Sequence, residues 1–413
     1  MSQQIREPMK IELKIFFAIV GLTGLAMGMS DGVISNFFND AYNVTTEERG
    51  FLELPRELPG VLLFLIIAFT AKLGDVRLAI IAQALLAIGG AILGLFTPSF
   101  AVMCFFIFTH SLGMHMFIPL QDSIGMSIIG KQDMGTRMGQ YAGIRTAFAM
   151  LASIIIFIGF RADFFSFKTQ IKLPFLIATV GFIGVFILFI VLYVKYKVHG
   201  QPRKKEFQIL FRKEYISFYI LAILVGVHRQ IMVVYGPWVL IRILGQGADT
   251  MALLSFVGAF VGIFFLPAVG RWTDKLGPKV ILFAEGVLFI LVYVAFGYMS
   301  YGFSNGIIAT VGIPVLLVFA LYILERLTMQ LNIVRNMYLR SIAVDPADIT
   351  PTLSTGLSMD HVVSIVCAYL GGLVWVNFGS QYVFYGAAAF SIINVVVALR
   401  IKGPMIAPMV IKA

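Results

Sequence analysis

The ten residues GRWTDKLGPK, Gly270 to Lys279, separate two long apolar runs. Four of the ten are charged, so the segment belongs in water even if its flanks do not. Gly270 and Gly277 permit a tight turn and a close approach of the two runs. Asp274 stands just ahead of the second run, where an anion favours a helix N-terminus. Lys275 and Lys279 add positive charge to the same turn. The segment reads either as a plain charged turn or as a latch between two halves of a larger molecule.

Working outward from it, the 413 residues are 59% apolar and only 13% charged. A soluble domain is usually about one quarter charged. Runs of roughly twenty apolar residues recur from end to end, each long enough to cross a bilayer as a helix. No long alternating run suggests a barrel. Twelve spans are expected, near 15–38, 48–71, 77–97, 99–129, 136–160, 173–196, 214–242, 249–270, 279–299, 308–341, 350–376 and 380–401. The first lacks a small-residue cleavage site and reads as a retained helix. The polar stretch KVHGQPRKKEFQILFRKE divides the spans six and six. The expected domains are an N-terminal six-helix bundle (1–197), a cytoplasmic linker (198–213) and a C-terminal six-helix bundle (214–413). Cys104 and Cys367 lie inside apolar runs and form no disulfide or metal spacing.

The basic residues orient this map. Alternate gaps hold twenty-one Lys and Arg, whereas the other gaps hold only Arg49, Arg161, Lys168, Lys172 and Arg242. Short cytoplasmic loops carry the excess of Lys and Arg, so both termini are expected in the cytoplasm. The net charge of +10 then reports topology. It gives no ground for a nucleic-acid partner, because no separate basic domain exists.

The loop from Gly270 has the form Gly-x-x-x-Asp-Lys-x-Gly-x-Lys. It resembles the signature loop of the major facilitator superfamily, which joins the second and third helices of a six-helix half. The matching place in the first half reads AKLGDVRLA, Ala71 to Ala79. Asp75 keeps the acid there. Ala71 replaces the first glycine, Val76 the basic residue and Leu78 the second glycine. A weaker echo sets GIRTAF (from Gly143) against GLSMDH (from Gly356). The resemblance covers nearly the whole chain. It implies an all-α membrane protein with twelve transmembrane helices in two pseudo-symmetric six-helix bundles. Those bundles would rock about a midplane cavity, exposing it to one side at a time. Arg137 opens the fifth span and Arg340 ends the tenth, both on the cytoplasmic side. Either is a candidate partner for Asp274 when that side is shut.

With the loop residues set aside, five basic residues remain inside spans: Arg56, Arg145, Arg229, Arg326 and Arg335. The acids there are Asp31, Glu53, Glu57, Asp122, Glu285, Glu325 and Asp360, with four histidines, His110, His115, His228 and His361. A charge at a helix centre costs about 2.5–3.5 kcal/mol on insertion scales. A dozen facing lipid would cost on the order of 30 kcal/mol, beyond the usual net stability of about 5–15 kcal/mol. Most must therefore pair or face a watery cavity.

Helical spacing sorts some of them. Glu53, Glu57, Gly60 and Phe64 form one stripe, and Arg56 is placed to bridge Glu53. Thr45 and Glu48 in TTEE form a capping box, so the second helix is expected to start there. Glu53 and Glu57 then lie roughly 10 Å inside. Pro55 and Pro59 each remove a backbone bond, which favours the outer part of a cavity over lipid. The rival reading is an interfacial cluster of snorkelling charges. His115 and Asp122 share a face. Glu325, Asn332 and Asn336 share another, with Arg326 and Arg335 pointing elsewhere. Asp360, Ser364 and Cys367 align.

Other residues keep two readings. Asp31 is a cavity acid or a hydrogen-bonded structural one. Arg145 binds solute or neutralises Asp122 or Asp31. Glu325 with Arg326 forms a solute and proton site or a structural ion pair. One of His228 and Arg229 satisfies a neighbouring helix. Glu285 is structural or lipid-proximal, and His361 is a partner for Asp360.

The expected function is secondary active transport of a small polar or amphiphilic organic solute. No nucleotide-binding motif or cofactor site appears, and the intramembrane acids make protons the expected coupling ion. The alternative is proton-driven export of lipophilic drugs or other xenobiotics, since Met and Phe are plentiful. An enzyme is not expected: there is no His-Glu-x-x-His, and His110 and His115 fall on different helix faces. The expected setting is the lipid bilayer of the cell membrane, with the protein as a monomer.

Overall fold

Long apolar runs leave the backbone no partner but itself, and every regular element among the described residues is helical. The computed structural model describes residues 11–70, 73–129, 134–198, 210–345 and 348–401. Ala71, Lys72 and most of the central linker lie outside that set.

The helices of the first half are α1 (Ile11–Asp31), α2 (Ile34–Tyr42), α3 (Thr46–Phe51), α4 (Glu53–Thr70), α5 (Asp75–Leu95), α6 (Phe100–Ile129), α7 (Met134–Arg161) and α8 (Leu173–Val194). The second half holds α9 (Ile216–Trp238), α10 (Ala248–Ser304), α11 (Ile313–Met329), α12 (Ile333–Ile342), α13 (Ile349–Phe378) and α14 (Ser380–Arg400).

Ten helical stretches among the described residues are long and apolar enough to cross a membrane. The sequence reading has twelve, and the two differences have physical causes. One of the ten is α10, with 57 residues. As a single rod it would run about 85 Å, far beyond a hydrocarbon core of about 30 Å. Gly277 breaks it: its backbone takes φ 79°, ψ 160°, so 248–276 and 278–304 are separate helices meeting at a turn. The second difference is α4, whose first turns carry Glu53, Arg56 and Glu57.

Breaks within the other spans follow local chemistry. The capping box forms as expected: the Glu48 amide donates to Thr45 Oγ1 at 3.2 Å and the Thr45 amide to Glu48 Oε2 at 2.8 Å. The helix that starts there ends at Phe51, and α4 resumes at Glu53. Pro55 has no N–H to offer the Phe51 carbonyl, which accounts for the interruption. Between α11 and α12, residues Gln330–Asn332 form a 3-10 turn. At about 120° per residue instead of 100°, three such residues rotate the following helix by about 60°.

The chain divides into two compact units, Met1–Ile34 with Leu62–Glu206, and Ser35–Val61 with Phe207–Ala413. Residues 35–61 thus belong with the second unit. In the first unit α1 packs on α7 and α8, and α5 packs on α6 and α8. In the second, α9 packs on α13 and α14, and α10 on α11 and α14. These are the same pairings repeated one half later, the packing form of the expected pseudo-symmetry. Small residues set the closest approaches. A Cβ on Gly113 would lie 2.6 Å from the Ala82 carbonyl oxygen of α5.

Candidate functional site

The second unit gathers its charges along one side of α9. Segment 45–57 runs antiparallel to that helix and is tied to it at three levels. Trp238 Nε1 donates to Thr46 Oγ1 at 3.0 Å, and Gln230 Nε2 to Glu53 Oε2 at 2.9 Å. Arg229 Nη2 lies 3.5 Å from Glu57 Oε2. Gly372 of α13 makes room for this segment: a Cβ there would lie 3.2 Å from the Thr46 carbonyl oxygen.

Glu53 and Arg49 have no exposed surface, 0% each. Glu53 Oε1 accepts from Arg49 Nη1 and from Arg56 Nη1, both at 2.6 Å. The expected Arg56 bridge is therefore present. Arg49, expected in a loop between spans, lies instead inside α3 with its guanidinium 5.4 Å from the Phe38 ring centre. The helix begins at Thr46, so Arg49 already faces the bundle.

Arg229 forms the next node. Its Nη2 lies 3.1 Å from Asp360 Oδ2 and donates to Ser364 Oγ at 3.0 Å. The expected alignment of Asp360 with Ser364 is what lets one guanidinium reach both. His361 acts on Asp360 through space, while its ring nitrogen turns to Glu57. Its Nδ1 lies 2.7 Å from Glu57 Oε2, because adjacent helical residues point about 100° apart. Gly226 permits the contact between α9 and α13, since a Cβ there would come within 2.5 Å of Asp360 Oδ1.

A cavity of about 440 Å³ opens beside this node. Its polar wall is Arg229, Ser255, Glu325, Arg326 and Gln330. Met232, Val233 and Met329, with the small Gly258 and Ala259, form the apolar wall. Glu325 is 1% exposed, and its Oε1 accepts from the Tyr293 hydroxyl at 3.2 Å. Arg326 lies over the Tyr322 ring at 5.1 Å and donates from Nη1 to Ser255 Oγ at 3.4 Å. The shared face expected of Glu325 and Asn336 is not formed. Asn336 is exposed while Glu325 is buried, because the 3-10 turn between them changes the register. The side chain of Asn332 lies outside the described residues.

A second, buried ion pair joins α12 to 278–304. Arg335 Nη2 is 3.3 Å from Glu285 Oε1, and both are buried. Glu285 is thus a structural acid and not a lipid-facing one. His228 faces the interior: it stacks on Phe289 at 4.5 Å, its Nε2 lies 3.4 Å from Ser391 Oγ, and its Nδ1 has no hydrogen-bond partner among the described residues. Of the pair His228 and Arg229, only Arg229 reaches the cavity.

In the first unit, Asp122 Oδ1 accepts from Tyr141 Oη at 2.5 Å, and Arg145 lies over the same ring at 5.6 Å. Tyr141 therefore stands between the acid and the arginine. His115 Nδ1 lies 2.9 Å from the Ser111 carbonyl oxygen and 3.1 Å from Ser111 Oγ. Asp31 is exposed where α1 ends.

The two loop motifs differ in burial. Asp75 is buried at the start of α5 and accepts from Ser123 Oγ at 2.5 Å. In the second copy Asp274 and Lys275 are exposed, and Lys279 Nζ donates to the Leu399 carbonyl at 3.1 Å. Gly270 is helical, and Gly277 makes the turn. Arg340 is exposed and is not paired with Asp274; Arg137 Nη1 donates to Gln140 Oε1 at 3.1 Å.

Sequence reasoning missed Arg49, Gln230, Tyr141, Tyr293 and Ser255. Gln230 was detectable as an amide directly after the noted His228 and Arg229. The others carry no signal apart from the fold. It also missed Lys172, counted only as a loop cation. That residue is buried, and its Nζ donates to Thr97 Oγ1, to the Gln170 carbonyl at 2.9 Å and to the Phe96 carbonyl at 3.3 Å.

A family profile described as Major Facilitator Superfamily matches residues 15–344. The chain belongs to the major facilitator superfamily, a family of secondary transporters and not of enzymes. It is an integral multi-pass membrane protein. Solved structures share the fold. The nucleoside transporter NupG matches with TM-score 0.70 at 12% identity, covering 94% of this chain and 98% of that one. The POT family transporter PepTSo matches with TM-score 0.71 at 12% identity, covering 94% and 96%. A bacterial homologue of the iron transporter ferroportin gives 0.71 at 12% identity, covering 94% and 98%. No match is found among curated proteins by sequence.

Proposed function

We propose that this transporter moves a small polar or amphiphilic organic solute by alternating access and couples that movement to protons. The observation that carries the reading is the Arg229 node. One guanidinium nitrogen contacts Asp360, Glu57 and Ser364, and the same residue lines a cavity of small-molecule size. Protonating Glu57 or Asp360 would release part of that guanidinium toward the cavity. A ligand that takes it would then bias the protein toward one of its two states. The wall offers a few polar groups on an otherwise apolar surface, the usual make-up of a small-molecule site. The Lys and Arg distribution supports cytoplasmic termini. The protein would act as a monomer in the cell membrane.

The test is flux in proteoliposomes, with solutes first selected by thermal shift from metabolite and lipophilic-drug panels. Uptake of a polar solute is expected to follow an imposed pH gradient and to collapse with a protonophore. In Glu325→Gln, Glu57→Gln or Asp360→Asn the gradient dependence is expected to vanish. Flux indifferent to the gradient in every case would refute proton coupling. Movement of lipophilic drugs alone would favour the export reading.

A further inference from the structure

We propose that the cavity of the second unit is built for an organic anion. Arg326 holds the carboxylate or phosphoryl group, and Met232, Val233 and Met329 receive the apolar body. This rests on the transport reading above and names the substrate class of the same site.

The two cavity arginines are not equivalent. Arg229 is engaged by Asp360 and Glu57. Arg326 has no carboxylate within ion-pair distance among the described residues, and Glu325 acts on it only through space. Its contacts are the Ser255 hydroxyl at 3.4 Å and the Tyr322 ring at 5.1 Å. The ring steadies the guanidinium plane without neutralising it. A guanidinium carries five N–H donors in a planar fork, and one hydroxyl leaves most of them for the cavity. That fork matches a carboxylate or phosphoryl group bidentately.

Glu325 sets the condition for entry. It neighbours Arg326 in sequence but turns to the Tyr293 hydroxyl while still lining the cavity. The charged or titratable groups around it are Arg326 on its own helix, Tyr322 one turn back, Tyr293 from 278–304 and Arg229 from α9. When Glu325 is ionised, its charge opposes an incoming anion. When it is protonated, the wall gains one unit of positive charge. Proton and anion are therefore expected to enter together.

The flanking wall decides against a small inorganic ion. Two methionines and a valine offer an adaptable apolar surface that a bare anion would leave unfilled. The same surface suits a phenyl, indolyl or alkyl body.

The experiment uses the full-length purified protein and matched ligand sets. Phenyl, indolyl and alkyl skeletons are each presented as carboxylate, phosphonate, primary amide and primary amine, at acid and neutral pH. The anionic form of at least one skeleton is expected to bind about tenfold more tightly than its amide. The better of its two anionic heads identifies the head group. Arg326→Gln should erase that preference while the melting temperature without ligand stays near wild type, and Arg326→Lys should keep part of it. Glu325→Gln should bind the anion equally at both pH values. Amides or amines binding as well as the anions, or anion binding unchanged in Arg326→Gln, would overturn the proposal. Transport of neutral polar solutes without any anion would refute this inference and leave the transport reading standing. No flux of any solute would refute the transport reading itself.

Discussion

Arg229 Nη2 lies 3.1 Å from Asp360 Oδ2, joining α9 to α13 where Gly226 lets the two backbones meet. Glu57 and Ser364 share the same nitrogen, so removing the arginine takes the ion-pair partner from Asp360 and leaves Glu57 to His361. Arg229→Gln is expected to abolish solute flux and lower stability by about 2 kcal/mol. Adding Asp360→Asn should recover a measurable part of the stability, because the two residues are coupled. A double-mutant cycle of thermal melts in detergent checks this, and strictly additive losses would show that the pair is not coupled.

Glu53 balances two arginines with no exposed surface of its own. Glu53→Gln leaves Arg49 buried beside an amide. The expected loss is about 3–5 kcal/mol, typical of one partner removed from a buried pair. Chemical denaturation in mild detergent reads it directly. Glu53→Gln combined with Arg49→Met should be milder than Glu53→Gln alone.

Two glycines should fail for different reasons. Gly277 sits at φ 79°, ψ 160° with open space where a Cβ would go, so Gly277→Ala is expected to cost only backbone strain, about 1–3 kcal/mol. Gly226→Ala instead places a methyl 2.5 Å from Asp360 Oδ1 and 2.8 Å from its carbonyl oxygen. It should cost about 1–3 kcal/mol through overpacking and also disturb transport. Comparing melting temperature with flux for each variant separates the two effects.

Lys172 fastens the end of α5 from outside the apolar spans. Its three ammonium contacts include the Phe96 carbonyl just past that helix, and its own amide donates to Gly94 at 2.7 Å. A cation also complements the negative end of a helix. Lys172→Met is expected to lower stability by about 2 kcal/mol. Hydrogen exchange should rise first at 92–97, and protection unchanged there would count against the anchoring role.

Much of this was legible beforehand. Span positions, the Thr45 cap, the turn at Gly277 and the Glu53–Arg56 bridge all depend on neighbours within one turn of helix, which periodicity reports. The partner of Glu57 was not legible. His361 and Arg229 come from helices more than a hundred residues away, and only packing selects them. The face assigned to Asn336 failed because three residues of 3-10 geometry shift every later side chain, and nothing in Gln330-Leu331-Asn332 announces the change. Arg49 was misplaced because charge alone suggested a loop. Its burial follows from where the capped helix starts.

Assigning residues 35–61 to the second unit has a practical consequence for fragment work. A chain severed within the central linker would not release two self-sufficient modules. The downstream piece would lack Arg49, Glu53 and Glu57, leaving Arg229 with Asp360 alone and Gln230 without Glu53, while the upstream piece would carry residues 35–61 away from the unit they pack in. Co-expression, or grafting that stretch onto the downstream piece, is what such a fragment would require to fold.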